Sequence, residues 1–260
     1  MEIPSKIKEI IGERCGNLTN IGLSGASVYI YDDMVLKIQE QSEESDREYD
    51  MMRWLQDKLP VPQIKEHAFA NKLSYLLMSK CSGKIACSHE YMQRPMYQAE
   101  MLASALNDIW QVPWMYCPYH NTLEYKLIQA EYNVINNVVD IVDCNPETFS
   151  ERGFKDSEAL LYWLQNNRPE EELVISHGDF CLPNILFNNG TMTGLIDLGR
   201  SGVADKWCDI ALCYRSIKDN FSGRYDHQWS GYSNQYLFDA LQIKPDWEKI
   251  RYYILLDELF

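Results

Sequence analysis

The 260 residues suit one large or two small domains and are enough to bury a substantial core, and 46% hydrophobic, 24% charged and 12% aromatic residues are the mixture of a globular protein. A formal charge of −14 argues against a nucleic-acid partner, which would demand a basic face, and fits either cationic ligands or simple solubility. No apolar run approaches membrane-spanning length and Met1-Glu2-Ile3-Pro4-Ser5-Lys6 is not a secretory leader, so no membrane association and a cytoplasmic location are expected. The eight cysteines show neither CxxC pairs nor histidines at zinc-ligand spacing, and read as reduced thiols.

In chain order, Ile3, Ile7, Ile10 and Ile11 recur at helical spacing, predicting an amphipathic helix over 3–14. Asn17 to Tyr31 then reads as strand, glycine turn, strand, and Met34 to Gln39 as a third strand. The turn holds Gly22, Ser24, Gly25 and Ser27, whose backbone N–H groups and hydroxyls suit a phosphate; alone, such a turn is a weak signal. In the third strand, Val35 and Lys37 share one face and Leu36 and Ile38 the other, which turns Lys37 toward the glycine turn.

A helix over 45–59 carries the stripe Glu48, Met52, Leu55, Leu59. Glu48 is thus a carboxylate on an apolar stripe. Either it pairs with a cation, Lys37 being the candidate, or it sits at the stripe's edge and reaches water. Pro60 and Pro62 end that helix. Leu73 to Ser79 is a strand, and Ser79 to Cys81 read as a hinge whose backbone could meet a purine edge. From there helices dominate, at 97–110, 123–137 and 156–167, with a loop over 143–153.

Three polar anchors follow between short apolar runs. In Ile175-Ser176-His177-Gly178-Asp179-Phe180-Cys181-Leu182-Pro183-Asn184-Ile185-Leu186-Phe187, the flanking runs read as two hairpin-like strands, and Leu195-Ile196 is the next strand, with Asp197 at its end. Protein kinases write H-R-D-x-x-x-x-N and D-F-G where this chain writes H-G-D-F-C-L-P-N and I-D-L-G. The chemistry served is in-line attack of an alcohol on a nucleoside triphosphate with divalent ions neutralising phosphoryl charge. Asp179 would take the hydroxyl hydrogen, Asn184 and Asp197 would hold magnesium, and Lys37, oriented by Glu48, would hold the α- and β-phosphates. Gly178 in place of the kinase arginine, and no A-P-E segment, point to a small-molecule kinase. His177 reads as a brace for the loop, and Asp209 as a second brace. The turn 199–205 leads into a helix with Trp207, Ile210, Ala211 and Cys213; 218–234 reads as a polar loop; helices over 234–241 and 246–259 close the chain, Asp246 capping the last.

These motifs, with the run Gly199-Arg200-Ser201-Gly202-Val203-Ala204-Asp205-Lys206-Trp207 and the tail from Ile243 to Phe260, resemble the aminoglycoside 3′-phosphotransferases from the first strand to the last residue. The resemblance implies an α+β, protein-kinase-like two-lobed fold: a small antiparallel-sheet lobe with one helix over 1–80 and a larger, mainly helical lobe over 81–260. It implies ATP, or GTP, with magnesium in the cleft, and phosphorylation of the 3′-hydroxyl of a kanamycin- or neomycin-type antibiotic, conferring resistance, with no obligatory protein partner. Asp179 is then the catalytic base; Asn184 and Asp197 are metal ligands; Ser24, Lys37, Glu48, Ser79 and Cys81 serve the nucleotide; Arg200, Asp257, Glu258 and the Phe260 carboxylate serve the antibiotic. The charge chemistry agrees, since carboxylates attract and fix a polyammonium ligand; the bland alternative for Asp257-Glu258 is a solvated helix end.

Two positions depart from the pattern. Val35 stands where some members stack an aromatic on the adenine, and 145–151 is less acidic than in broad-range members. A kinase of another amino-alcohol such as choline is the competing enzyme reading, and a nucleotide-binding protein without transfer the competing non-enzyme reading.

Overall fold

The computed structural model describes residues 3–19, 26–141, 144–225 and 227–260. Ser24, Gly22 and Gly25 of the expected phosphate turn, and Asp143, lie outside the described residues. The chain forms two compact units, Met1–Ala86 with Pro183–Ser201, and Cys87–Leu182 with Gly202–Phe260. The sequence reading drew one boundary at 80/81; the first unit runs six residues further and takes back a later segment.

The first unit is built on five antiparallel strands, β1 (Asn17–Thr19), β2 (Ser27–Ile30), β3 (Met34–Glu40), β4 (Ile64–Ala70) and β5 (Leu73–Ser79), in the order β1-β2-β3-β5-β4. Period-two alternation on β3 divides the sheet's contacts as expected. Leu36 and Ile38 join Ile7 and Ile11 of α1 (Ser5–Ile11), together with Tyr75 and Leu77, in one buried cluster. Lys37, on the other parity, reaches Glu48 of α2 (Glu43–Leu55). That helix starts earlier than predicted: Ser42 and Ser45 exchange side-chain and backbone hydrogen bonds as a reciprocal cap, and Glu43, Glu44 and Asp46 favour the positive end of the helix dipole. β4 has no counterpart in the sequence reading, because Ile64-Lys65-Glu66-His67 does not alternate cleanly and a register shift between Ile64 and Glu66 interrupts the edge strand.

A second sheet of this unit pairs β6 (Lys84–Ile85) and β9 (Thr191–Leu195) on either side of β8 (Ile185–Asn188). The other unit carries α3 (His89–Met92), α4 (Pro95–Trp110), α5 (Leu123–Ile135), α6 (Ser157–Asn166), α7 (Lys206–Ser222), α8 (Gln235–Leu241) and α9 (Trp247–Asp257). Its two strands, β7 (Leu173–Ser176) and β10 (Gly202–Asp205), pair with each other. This corrects two expectations. β7 and β8 are not a hairpin, since they belong to different sheets, and 202–205 is a strand rather than turn. Its opening glycine looked like punctuation, but Gly202 stands at φ +157° where a Cβ would come 2.8 Å from the Tyr119 carbonyl.

The expected polar loop also contracts, because 218–222 complete α7 and buried Phe221 stacks on Tyr232. Asp246 caps α9 as predicted, accepting the N–H groups of Glu248 and Lys249. No helix among the described residues is long and apolar enough to cross a membrane.

Leu36→Ala empties a fully buried position beneath α1 and should lower unfolding stability in urea by about 2–5 kcal/mol. A change below about 1 kcal/mol would show that this face is not packed as described.

Candidate functional site

In the first unit, β3, α2 and the segment after β9 each contribute one charged group. Lys37 Nζ donates to Glu48 Oε1 at 3.0 Å, Glu48 Oε2 at 2.9 Å and Asp197 Oδ1 at 2.8 Å. Glu48 is 2% exposed, so it pairs rather than reaching water, and Gln39 Nε2 donates to its Oε2 at 3.1 Å. Burial alone would depress the Lys37 pKa, but the two carboxylates outweigh it and hold the ammonium charged well above its ordinary range.

Asn184 and Asp197 come to the same end of the β8–β9 ladder. Ile185 pairs with Leu195, and one step beyond, the Ile196 N–H donates to the Asn184 carbonyl at 3.0 Å. Asp197 then takes a left-handed conformation, φ 63° and ψ 59°, rare for a residue with a side chain and a form of strain concentrated at functional sites. The 3₁₀ turn Leu198–Arg200 follows. Gly199 lies in close approach to α2, a Cβ there standing 2.6 Å from Glu44 Cγ and 3.0 Å from the Glu44 carbonyl oxygen, and Arg200 Nε lies 3.5 Å from Glu44 Oε1.

At the hinge, Ser79 is committed to the sheet: its N–H donates to the Gln63 carbonyl and its Oγ accepts the Gln63 N–H, both at 2.8 Å. The Lys80 N–H donates to the Asp33 carbonyl at 3.1 Å. Cys81 packs against Gly194, and burial pushes its thiol up to about 11.

In the second unit the loop after β7 is held by Asp209. This fully buried carboxylate accepts from Ser176 Oγ at 2.8 Å, from the Gly178 N–H at 3.0 Å, and from the His177 N–H and Trp110 Nε1 at 3.3 Å. Its bracing role is as expected, and burial pushes its carboxyl pKa up against those donors. Gly178 turns at φ 80°. His177 also braces, its Nδ1 accepting the Asp179 N–H at 3.3 Å. Beyond Asp179, the Cys181 N–H donates to the Asp179 carbonyl at 2.8 Å and its thiol to Asp179 Oδ1 at 2.9 Å.

The carboxy-terminal acids lie in the same unit with distinct partners. Asp257 Oδ2 meets the Arg215 guanidinium at 2.5 Å, while the buried Glu258 accepts the Asn145 N–H at 2.9 Å and so holds the start of the 145–153 loop. Phe260 remains 42% exposed. Arg215, Cys181 and Gln39 escaped the sequence reading: Arg215 and Gln39 acquire their roles through partners on other elements, and Cys181 through a loop turn that brings its thiol back to Asp179 two residues earlier. Asp205 and its neighbours explain much of the Ala-Asp-Lys-Trp run structurally. Asp205 caps α7 at Trp207 and accepts the Tyr253 hydroxyl at 2.8 Å, while Lys206 and Trp207 both bind Glu172.

Comparison with known proteins decides the family. The model of the phosphotransferase enzyme family (APH) matches residues 19–253. An aminoglycoside 3′-phosphotransferase of Enterococcus faecalis is 41% identical over 100% of this chain and 99% of its own length, and one of Staphylococcus aureus 40% identical with the same coverage. The chain belongs to the aminoglycoside 3′-phosphotransferases. Their α+β, kinase-like fold is shared with a crystal structure of the type VIII enzyme, at TM-score 0.77 and 25% identity over 98% of this chain and 97% of that one. The Streptomyces rimosus phosphotransferase APH(3″)-Id, solved in complex with ADP and streptomycin, matches in fold at TM-score 0.79 and 22% identity over 97% and 95% of the two chains.

Asp209→Ala leaves three buried donors and the part-buried Trp110 Nε1 without their acceptor. It should cost about 3 kcal/mol or more of unfolding free energy and lower turnover, with Asp209→Asn milder in both. Thermal melts paired with steady-state assays read this out, and an unshifted melt for the alanine variant would contradict the bracing role.

Proposed function

We propose that this aminoglycoside 3′-phosphotransferase moves the γ-phosphoryl group of ATP to the 3′-hydroxyl of a kanamycin- or neomycin-type antibiotic, conferring resistance, in the cytoplasm where ATP is supplied. The observation that carries the reading is the buried Lys37–Glu48 ion pair with Asp197 beside it, the lysine–glutamate pair that phosphoryl transfer of the kinase type uses to hold a triphosphate.

Each residue then has a task. Asp179 takes the proton of the attacking hydroxyl. Lys37 binds the α- and β-phosphates, with Glu48 and Gln39 fixing its position. Ser24 and its turn cover the phosphates. With the N–H groups of Ser79 and Lys80 already used in the sheet, Cys81 is the hinge residue assigned to the purine edge, Ser79 supporting it from β5. Val35, aliphatic where an aromatic would stack, leaves GTP as a second donor.

Asn184 and Asp197 offer one amide oxygen and one carboxylate, and no group of three or more His, Cys, Asp or Glu among the described residues could hold a metal. A hard donor set of this size fits magnesium, which keeps waters and leans on substrate phosphates rather than on an all-protein cage. When bound, magnesium supplies neutralisation of charge on the phosphoryl oxygens.

On the acceptor side, Arg200, Asp257, Glu258 and the Phe260 carboxylate are assigned to the antibiotic's hydroxyl and ammonium groups. Arg215 offsets part of the charge on Asp257, and Glu258 acts from its buried seat by fixing the 145–153 loop. The net charge of −14 favours approach of a polycation.

Asp179→Ala should lower kcat by roughly 10²–10⁴, the span of one acid–base group, in a magnesium-dependent ADP-release assay with kanamycin. In a susceptible bacterium, protection should be confined to antibiotics bearing a 3′-hydroxyl. Full activity of Asp179→Ala would remove the base, and protection against antibiotics lacking that hydroxyl would remove the regiochemistry.

A further inference from the structure

Cys181 lies two residues beyond Asp179 and contacts it twice. Its backbone N–H donates to the Asp179 carbonyl at 2.8 Å and its Sγ lies 2.9 Å from Asp179 Oδ1. The next residue anchors the pair, the Leu182 N–H donating to Ser216 Oγ of α7 at 3.0 Å. Directly before Ser216 on α7 stands Arg215, clasped by Asp257 from the end of α9. The cysteine therefore sits between the carboxylate assigned to chemistry and the ion pair that ties α7 to the carboxy terminus.

Two facts make Cys181 a donor to Asp179. A carboxylate only accepts, so the short sulfur–oxygen approach requires the thiol hydrogen between them. Burial and the neighbouring Asp179 charge both favour the thiol over the thiolate, by more than Arg215 opposes. The backbone contact fixes the main chain of Asp179, and the thiol contact bears on the rotation of its carboxylate.

We propose that Cys181 is a positioning residue for the reaction, its thiol holding Oδ1 of Asp179 so that the carboxylate plane stays aligned with the incoming 3′-hydroxyl. This rests on the reading of Asp179 as the base. A thiol suits the task because it is a weak donor: it orients the carboxylate while drawing little charge from an atom that must accept a proton. The loss expected on removing it appears in kcat rather than in nucleotide binding, since misplacement of a reacting group by an ångström costs up to about 10²-fold.

The test is steady-state kinetics of the full chain with ATP, magnesium and kanamycin, for Cys181→Ala, Cys181→Ser, Asp179→Asn and the double variant Asp179→Asn/Cys181→Ala. Cys181→Ala should lower kcat about tenfold, leave KM for ATP within about twofold, and melt close to the parent. Cys181→Ser, which restores a donor, should recover most of kcat. Added to Asp179→Asn, Cys181→Ala should cost nothing further, because its effect runs through the carboxylate. Should Cys181→Ala lose its cooperative melt, Cys181→Val takes its place as the donor-free filler. The proposal falls if the donor-free variant turns over like the parent, if serine fails to rescue, or if the same loss persists in the Asp179→Asn background. Wild-type turnover by Asp179→Asn itself would instead remove the base assignment, and the Cys181 role with it.

Discussion

The first unit depends on one lysine ammonium that answers two carboxylates. Lys37, Glu48 and Asp197 come from a strand, a helix and the end of a second sheet, and each is placed there by ordinary packing rules. Parity on β3 sends Lys37 away from the Leu36–Ile38 cluster; helical spacing on α2 turns Glu48 inward with Met52 and Leu55; the β8–β9 ladder delivers Asp197. A buried charge without its partner costs several kcal/mol, so the three elements hold one another in register through this centre. The same group that keeps α2 on the sheet is the one a triphosphate would bind, and stability and function meet in one residue.

In the second unit the comparable task falls to two buried aspartates at the start of α7, its cap Asp205 and Asp209 in its first turn. Asp205 caps the helix and gathers Tyr253 of α9 and the backbone of Glu172; Asp209, one turn on, gathers Ser176, His177, Gly178 and Trp110. Both sit near the helix N-terminus, where the dipole favours negative charge. The loop that carries Asp179 is therefore held from below by fixed acceptors, which is how a loop gains the precision of a rigid element.

Much of this was legible in the sequence, and the misses have physical causes. Period two on β3, the Glu48 stripe and the Asp246 cap were readable because local geometry alone fixes them, and the Asp209 brace from its place among the loop motifs, although its donors lie 31 to 99 residues away. The edge strand β4 was hidden by a bulge and by charged residues that solvent tolerates. The strand at 202–205 was hidden by a glycine that serves close approach to Tyr119 rather than a turn. Ser42 went unread as a cap because its reciprocal partner is Ser45 and not the acidic residue the pattern usually has. Gln39 and Arg215 owe their roles to contacts between elements, of which a single sequence carries no record, and Cys181 to the turn of its own loop back onto Asp179.

The central claim is that Glu48 holds Lys37 for the nucleotide. Calorimetric titration of Glu48→Gln with magnesium–ATP, and separately with kanamycin, tests it most directly. The account predicts that nucleotide affinity falls about tenfold or more, a loss of roughly 1.4 kcal/mol per decade, while antibiotic affinity holds. Parental nucleotide affinity in that variant would contradict it.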